Sequence, residues 1–261
     1  MTRQLEFIDN LVAEGRRQFT FEEAVRALHV SPPAAANALR RLQEKGLVDR
    51  LTKGVYAIRP LGSLGTSAAT DDLPLAVGAA FRGIDHRIAY ATALSEHGLL
   101  SHPVRTIYVA CTRQVRIEQV SRRPLRVVIE REKTIHLGAE QVGLSWRSTV
   151  ERALVECALR LDLAGGPEQL AEALANAAED VDPTRIHRLA TAFGARGRAA
   201  ERRLASLGNA LELPLDLDPK LEPHRPIIRL DPSDDRREWV DERYRVAWNL
   251  DVEELRSVVG A

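Results

Sequence analysis

Asn37, Arg40 and Arg41 stand on a stretch from Pro32 to Lys45 that carries no acidic residue before Glu44. An amide side chain can pair with an adenine edge, and a guanidinium can fork onto guanine or phosphate. Ala34, Asn37 and Arg41 are spaced three and four apart, so they share one helix face. Ser31, Pro33 and Ala34 precede them with small side chains that let the helix end approach its target, where main-chain amides can receive a phosphate. Arg50 and Lys53 follow, the lysine at the tip of a turn Thr52-Lys53-Gly54. The chemistry offered is hydrogen bonding to base edges and to a phosphate backbone.

The elements needed to present these groups are legible around them. Leu5, Ile8, Leu11 and Val12 recur at helical spacing and predict a helix over 3–14. Thr20 and Glu23 fit a capping box that opens a short helix ending near Leu28, with Ala24, Val25 and Leu28 inward. Ser31 is a helix cap, Pro32 suits the first helical position, and Gly46 is a natural stop. Within that second helix Ala35, Ala38, Leu39 and Leu42 form a buried stripe, which turns Asn37, Arg40 and Arg41 outward. Two short strands, Leu47–Leu51 and Val55–Ile58, make a hairpin. This order is a winged helix-turn-helix, whose second helix enters the major groove while the hairpin rests on the backbone. Small three-helix domains with a hairpin also bind proteins, and two arginines on an exposed face are ordinary solvation. Order, turn, wing and cationic tip together favour duplex DNA.

The remaining composition is that of a folded chain of 261 residues, 44% hydrophobic, with 37 basic and 37 acidic residues. The neutrality hides a division: residues 1–133 carry 20 basic against 14 acidic residues, and residues 134–261 carry 17 against 23. A polyanion would therefore meet the first half. The cations are nearly all arginine, which a GC-rich genome explains as well as a preference for phosphate does. Cys111 and Cys157 lie in apolar segments and read as buried free thiols. No apolar run approaches a membrane span, and no basic-then-apolar leader opens the chain. These features imply a cytoplasmic protein that does not engage a membrane.

Residues 61–72 are rich in small residues and turn formers, so the expected domains are 1–60, a linker 61–72, and a larger domain 73–261. The larger domain reads as mixed. Helices are expected over 74–82 and 88–97, strands over 106–111, 115–120, 125–129 and 136–142, and helices over 148–161, 167–179, 183–193 and 199–207. Extended segments 227–230 and 244–250 and a last helix 252–259 close it. The fold class is α+β: a winged helix-turn-helix followed by a larger α/β domain with a small sheet and a bundle-like helical part.

Four phrases resemble the AbiEi family, the antitoxins of type IV toxin–antitoxin systems first met as phage-abortive-infection proteins. Tyr90-Ala-Thr-Ala-Leu-Ser-Glu-His-Gly-Leu99, followed by Ile107-Tyr-Val-Ala110, is similar to its "SAL..HGL" segment. Ser148-Thr-Val-Glu-Arg-Ala-Leu154 resembles a helix start, with Gly165-Gly166 after it. Ala200-Glu-Arg-Arg-Leu-Ala-Ser-Leu207 resembles a later helix, and Lys53-Gly-Val-Tyr56 a strand of the wing. Trp248 in an extended tail also matches, and the likeness runs from about Leu5 to Val258. Val150 and Ala205-Ser206 depart from the family pattern. The resemblance implies a promoter-binding autorepressor whose larger domain neutralises a nucleotidyltransferase-like toxin. The alternative is a stand-alone regulator whose larger domain senses a ligand or protein, and a third reading has that domain modify the toxin covalently.

The sequence offers no catalytic constellation and implies no cofactor. It holds no P-loop and no dinucleotide glycine pattern. Gly62-Ser-Leu-Gly65 reads as a turn, His97 and His102 as structural histidines, Glu130-Arg-Glu-Lys133 as a solvated strand end, and Asp231, Asp234 and Asp235 as a turn rather than a metal site. Arg113, Arg116 and Arg126 extend a basic surface, with Arg116 facing Glu118. Arg122 and Arg123, and Arg196, Arg198, Arg202 and Arg203, form two basic patches that are candidates for toxin or RNA contact, against the plain alternative of a solvated surface.

Overall fold

The computed structural model describes residues 3–59, 72–121, 123–221 and 224–260. The chain groups into two compact units. One contains residues 1–83 with 117–123 and 143–145; the other contains 84–116, 124–142 and 146–261.

The first unit opens with α1 (Arg3–Ala13), β1 (Gln18–Thr20), α2 (Phe21–Leu28) and α3 (Pro32–Glu44), then β2 (Val48–Thr52) and β3 (Val55–Ile58). The strands form one antiparallel sheet in the order β1-β3-β2. A winged helix-turn-helix is therefore present. The third strand, β1, pairs Phe19 with Tyr56; the sequence pattern does not predict it, because three residues are too short to show alternation. On α1 the buried residues are Phe7, Ile8 and Leu11. Leu5 and Val12, expected inward, are exposed, Val12 by 53%. Phe7 replaces them because its ring meets Phe19 edge-on at 4.9 Å, and Phe19 stacks on Tyr56 at 5.6 Å. Leu28, Leu39, Leu42 and Val48 complete this core.

The expected linker 61–72 lies outside the described residues except for Asp72, whose carboxylate caps α4 (Leu73–Ala80) at the Leu75 amide. This helix is apolar on every side, so it must be buried all round. It packs with β2 inside the first unit, and the Ser145 hydroxyl donates to Pro74 O at 2.8 Å. Residues 72–83 thus group with the head rather than with the larger unit.

The elements that follow are β4 (His86–Ile88), α5 (Tyr90–Glu96), β5 (Ile107–Cys111), β6 (Gln119–Val120), β7 (Arg123–Ile129), α6 (Glu132–Ile135), β8 (Ala139–Val142) and β9 (Ser145–Ser148). In the second unit β5 runs parallel to β7 and antiparallel to β4, and β4 is parallel to β9. Expected strand 115–120 shortens to β6, and expected helix 88–97 begins only at Tyr90 because His86–Ile88 is a strand. The helices are α7 (Val150–Leu159), α8 (Leu161–Ala164), α9 (Pro167–Ala177), α10 (Pro183–Ala192) and α11 (Gly194–Ala210). They are followed by β10 (Ile228–Arg229), β11 (Trp239–Asp241), β12 (Val246–Trp248) and α12 (Val252–Val259). α11 starts earlier than the expected 199–207. Trp248 is fully buried, and its indole N–H donates to Ser206 Oγ, which donates to Asp241. Cys111 and Cys157 are both free and buried, and burial pushes both thiols up, away from reactivity.

A buried ionic cluster holds the sheet of this unit to α7. The Arg87 guanidinium donates to Ser148 Oγ at 2.9 Å, to Glu130 at 2.8 Å, and to Glu156 and the Ile135 carbonyl. Arg152 donates to Glu130 at 2.6 Å and Glu156 at 2.9 Å, and lies 4.2 Å above the Phe193 ring. Burial pushes Glu156 up, but Arg87 and Arg152 outweigh it and hold the carboxyl below its ordinary value. Glu130, read from the sequence as a solvated strand end, is only 16% exposed on its side chain and is a member of this cluster. Thr149, not Ser148, caps α7, which frees the Ser148 hydroxyl to donate to Glu156 at 2.8 Å.

Candidate nucleic-acid interface

Local chemistry sets the angle at which α3 is presented. The Thr20 hydroxyl accepts the Glu23 amide at 3.1 Å, and Glu23 accepts the Thr20 amide at 2.7 Å. Arg16 adds a 2.6 Å ion pair to Glu23. Burial raises the Glu23 carboxyl, yet the Thr20 amide and Arg16 hold it below its ordinary value. His29 ends α2 in the left-handed region at φ 52, which makes the sharp turn into α3. At the far end Leu47 N–H donates to Leu42 O and Gly46 N–H to Gln43 O, both at 2.9 Å. With Gly46 at φ 68 this is a Schellman stop, and it launches the chain straight into the wing. The wing is tied back by Phe21 N–H to Gly54 O at 2.8 Å and by the Arg59–Asp49 fork, both bonds 2.7 Å.

The buried stripe of α3 is Ala35, Ala38, Leu39 and Leu42, as the periodicity predicts. The opposite side is open: Ser31, Pro33, Ala34, Asn37, Arg40 and Arg41 are all exposed, as are Arg50 and Lys53 on the wing. Among the described residues Asn37, Arg41 and Lys53 have no side-chain partner, whereas Arg40 lies 3.7 Å from Glu44 in an exposed pair. Ser31 occupies the cap position, but its hydroxyl makes no cap bond. Pro32 and Pro33 fill the first two helical positions, which removes two of the amides expected to receive a phosphate. The donors that remain at this end are therefore chiefly side chains. A register shift between Arg50 and Thr52 kinks β2 beside the tip, a device that re-aims side chains at a strand end.

The second unit divides the other candidates. Arg122 lies outside the described residues. Arg123 is half-buried, and Arg196 and Arg198 are exposed. Arg202 and Arg203 are buried, which corrects their expected place in a contact surface. Arg202 donates to the carbonyls of Tyr244, Pro226 and Arg245, and Arg203 to those of Arg229 and Ala158. Burial lowers both, Arg203 to about 10. Arg126 pairs with Asp162 at 3.3 Å. His97 hydrogen-bonds the Ser148 carbonyl at 2.8 Å, consistent with a structural role. Asp231 accepts from Ser233, and Asp234 forks onto Arg236, which holds it well below the ordinary carboxylate range. Gly62-Ser-Leu-Gly65 lies outside the described residues.

Residues 6–59 match the family model described as "Transcriptional regulator, AbiEi antitoxin". Over this segment the chain is similar to that family. The match covers the winged helix-turn-helix, including every DNA-facing candidate named above. The chain is also similar to the crystal structure of RV2827C protein from Mycobacterium tuberculosis. The TM-score is 0.68 at 19% identity, covering 100% of this chain and 96% of that one. At that identity the likeness shows a shared fold. No curated protein sequence matches the chain. Among the described residues no helix is long and apolar enough to cross a membrane.

Proposed function

We propose that this protein is a cytoplasmic type IV antitoxin that binds its own promoter as an autorepressor and neutralises a nucleotidyltransferase-like toxin. The match of the head to an antitoxin regulator family supports this reading, and the observation that carries the DNA half is the open face of α3. Asn37 and Arg41 point away from the core on one side of the helix, and Lys53 tips the wing beside it. In this reading α3 enters the major groove and the wing meets phosphate. The neutralising role falls to the second unit, which acts by binding rather than catalysis. A stand-alone regulator is the second reading, favoured by the matching family model being described as a transcriptional regulator.

Co-expression of the full chain with the product of the neighbouring gene, scored for growth and for promoter activity, tests this. The antitoxin reading expects wild-type protein to restore growth and silence the promoter. Arg41→Ala/Lys53→Ala should restore growth but lose silencing. Loss of growth rescue in a folded double variant would put neutralisation in the head and contradict the assignment. A wild-type chain that silences but never rescues would favour the stand-alone regulator.

A further inference from the structure

The second unit contains a cavity of about 550 Å³ at the start of α11, within the range of small-molecule sites. Its cationic side is formed by Arg198, Arg202 and Lys220, and its apolar side includes Leu221, Pro226 and Ile228. Arg198 and Lys220 are exposed and, among the described residues, have no hydrogen-bond or ion-pair partner. Arg202 is buried with carbonyl oxygens as its acceptors, so its charge is solvated by dipoles and not cancelled. The lining also holds two acidic side chains, each with a partner: Glu201 with His187 of the same lining at 2.7 Å, and Asp218 with Arg243, outside the lining, at 3.2 Å. The first turn of α11 carries no acidic residue, which leaves its positive helix end to add to the same field.

We propose that this cavity binds an organic phosphate of nucleotide size, with the phosphates against Arg198 and Lys220 in the field of Arg202 and the organic body against Pro226 and Ile228. Phosphate follows from three cations in one lining: Arg198 and Lys220 have free donors, those of Arg198 in the planar fork that matches phosphate oxygens, while Arg202, bound to carbonyls, adds its charge. An organic body follows from the apolar wall, which inorganic phosphate would leave wet. The site lies wholly in the second unit and does not depend on the DNA-binding reading.

Calorimetric titration of the full chain with ATP, pyrophosphate and adenosine tests the proposal. ATP should bind saturably, with a Kd below ~1 mM. Pyrophosphate should compete with it, and adenosine should not bind detectably. Arg198→Ala/Lys220→Ala should weaken ATP binding by about tenfold or more. Both side chains are exposed and unpaired, so circular dichroism should be unchanged. Arg196→Ala, on the same helix but outside the lining, should leave binding intact. Arg41→Ala/Lys53→Ala should also leave it intact, which separates the cavity from the head. Adenosine binding as tightly as ATP, unweakened ATP binding in the Arg198/Lys220 variant, or no saturation by ~1 mM would each overturn the site.

Discussion

Glu156→Gln is the substitution whose consequence is best determined by the geometry. Glu156 is buried between two buried guanidiniums, Arg87 and Arg152, and its second oxygen accepts Ser148 Oγ. The neutral amide can still accept both guanidinium bonds through one oxygen and donate to Ser148 Oγ, but it leaves those two cations facing the charge of Glu130 alone. Breaking a buried pair in this way costs about 3–5 kcal/mol. For a unit of this size that lowers Tm by roughly 6–20 °C. Thermal unfolding followed by the helical dichroism signal should report it, because α7 and α9 to α11 contribute a large part of that signal. Arg152→Met added to Glu156→Gln removes the surplus cation, so the double variant should be less destabilised than the sum of the singles by about 0.5–3 kcal/mol. The pH dependence has a fixed sign. Because the folded carboxyl lies below its ordinary value of 4.5, its contribution is complete above that value and is lost as pH falls through the lower folded one. Wild type and Glu156→Gln should therefore differ most at neutral pH and converge in acid. A loss under ~1 kcal/mol, strict additivity, or a gap that widens in acid would refute the reasoning.

Three further substitutions probe other parts of the fold. Gly46→Ala places a side chain at φ 68 and should destabilise the head by about 1 kcal/mol in chemical denaturation. Gly197→Ala would press a methyl against the Ala190 carbonyl and within 2.7 Å of Phe193 Cβ. Since backbone must yield, a loss of about 1–3 kcal/mol is expected in the thermal melt. Arg203→Met leaves the buried carbonyl of Ala158 without this donor, at about 1–3 kcal/mol, and removes a part-buried bond to the Arg229 carbonyl. At a temperature where this variant remains folded, its growth rescue should equal wild type, and a specific loss of rescue would return Arg203 to the contact surface.

The head is legible in the sequence because its determinants are local. The Thr20–Glu23 box, the Gly46 stop and the Ala35-Ala38-Leu39-Leu42 stripe are each written within a few residues. What escapes a sequence reading depends on distant partners. The bonds of Arg87 to Glu130 and Glu156 span 43 and 69 residues, so Glu130 resembles a solvated strand end. Arg202 and Arg203 resemble surface cations because no spacing rule reveals carbonyls 42 or 26 residues away. β1 and β4 are three residues each, too short for alternation to register. Leu5 and Val12 mislead because the apolar period of α1 fits two faces, and only the Phe7–Phe19 contact selects between them.

The central claim is that α3 and the wing grip duplex DNA through side chains that the core leaves free. Its most direct test is the affinity of the full chain for its own promoter duplex across a range of salt concentrations. For wild type, log K should fall linearly with log salt. Arg41→Ala/Lys53→Ala should bind more weakly, with a slope shallower by about 0.9 for each phosphate that the variant no longer neutralises. An unchanged affinity and slope in a folded double variant would contradict the account.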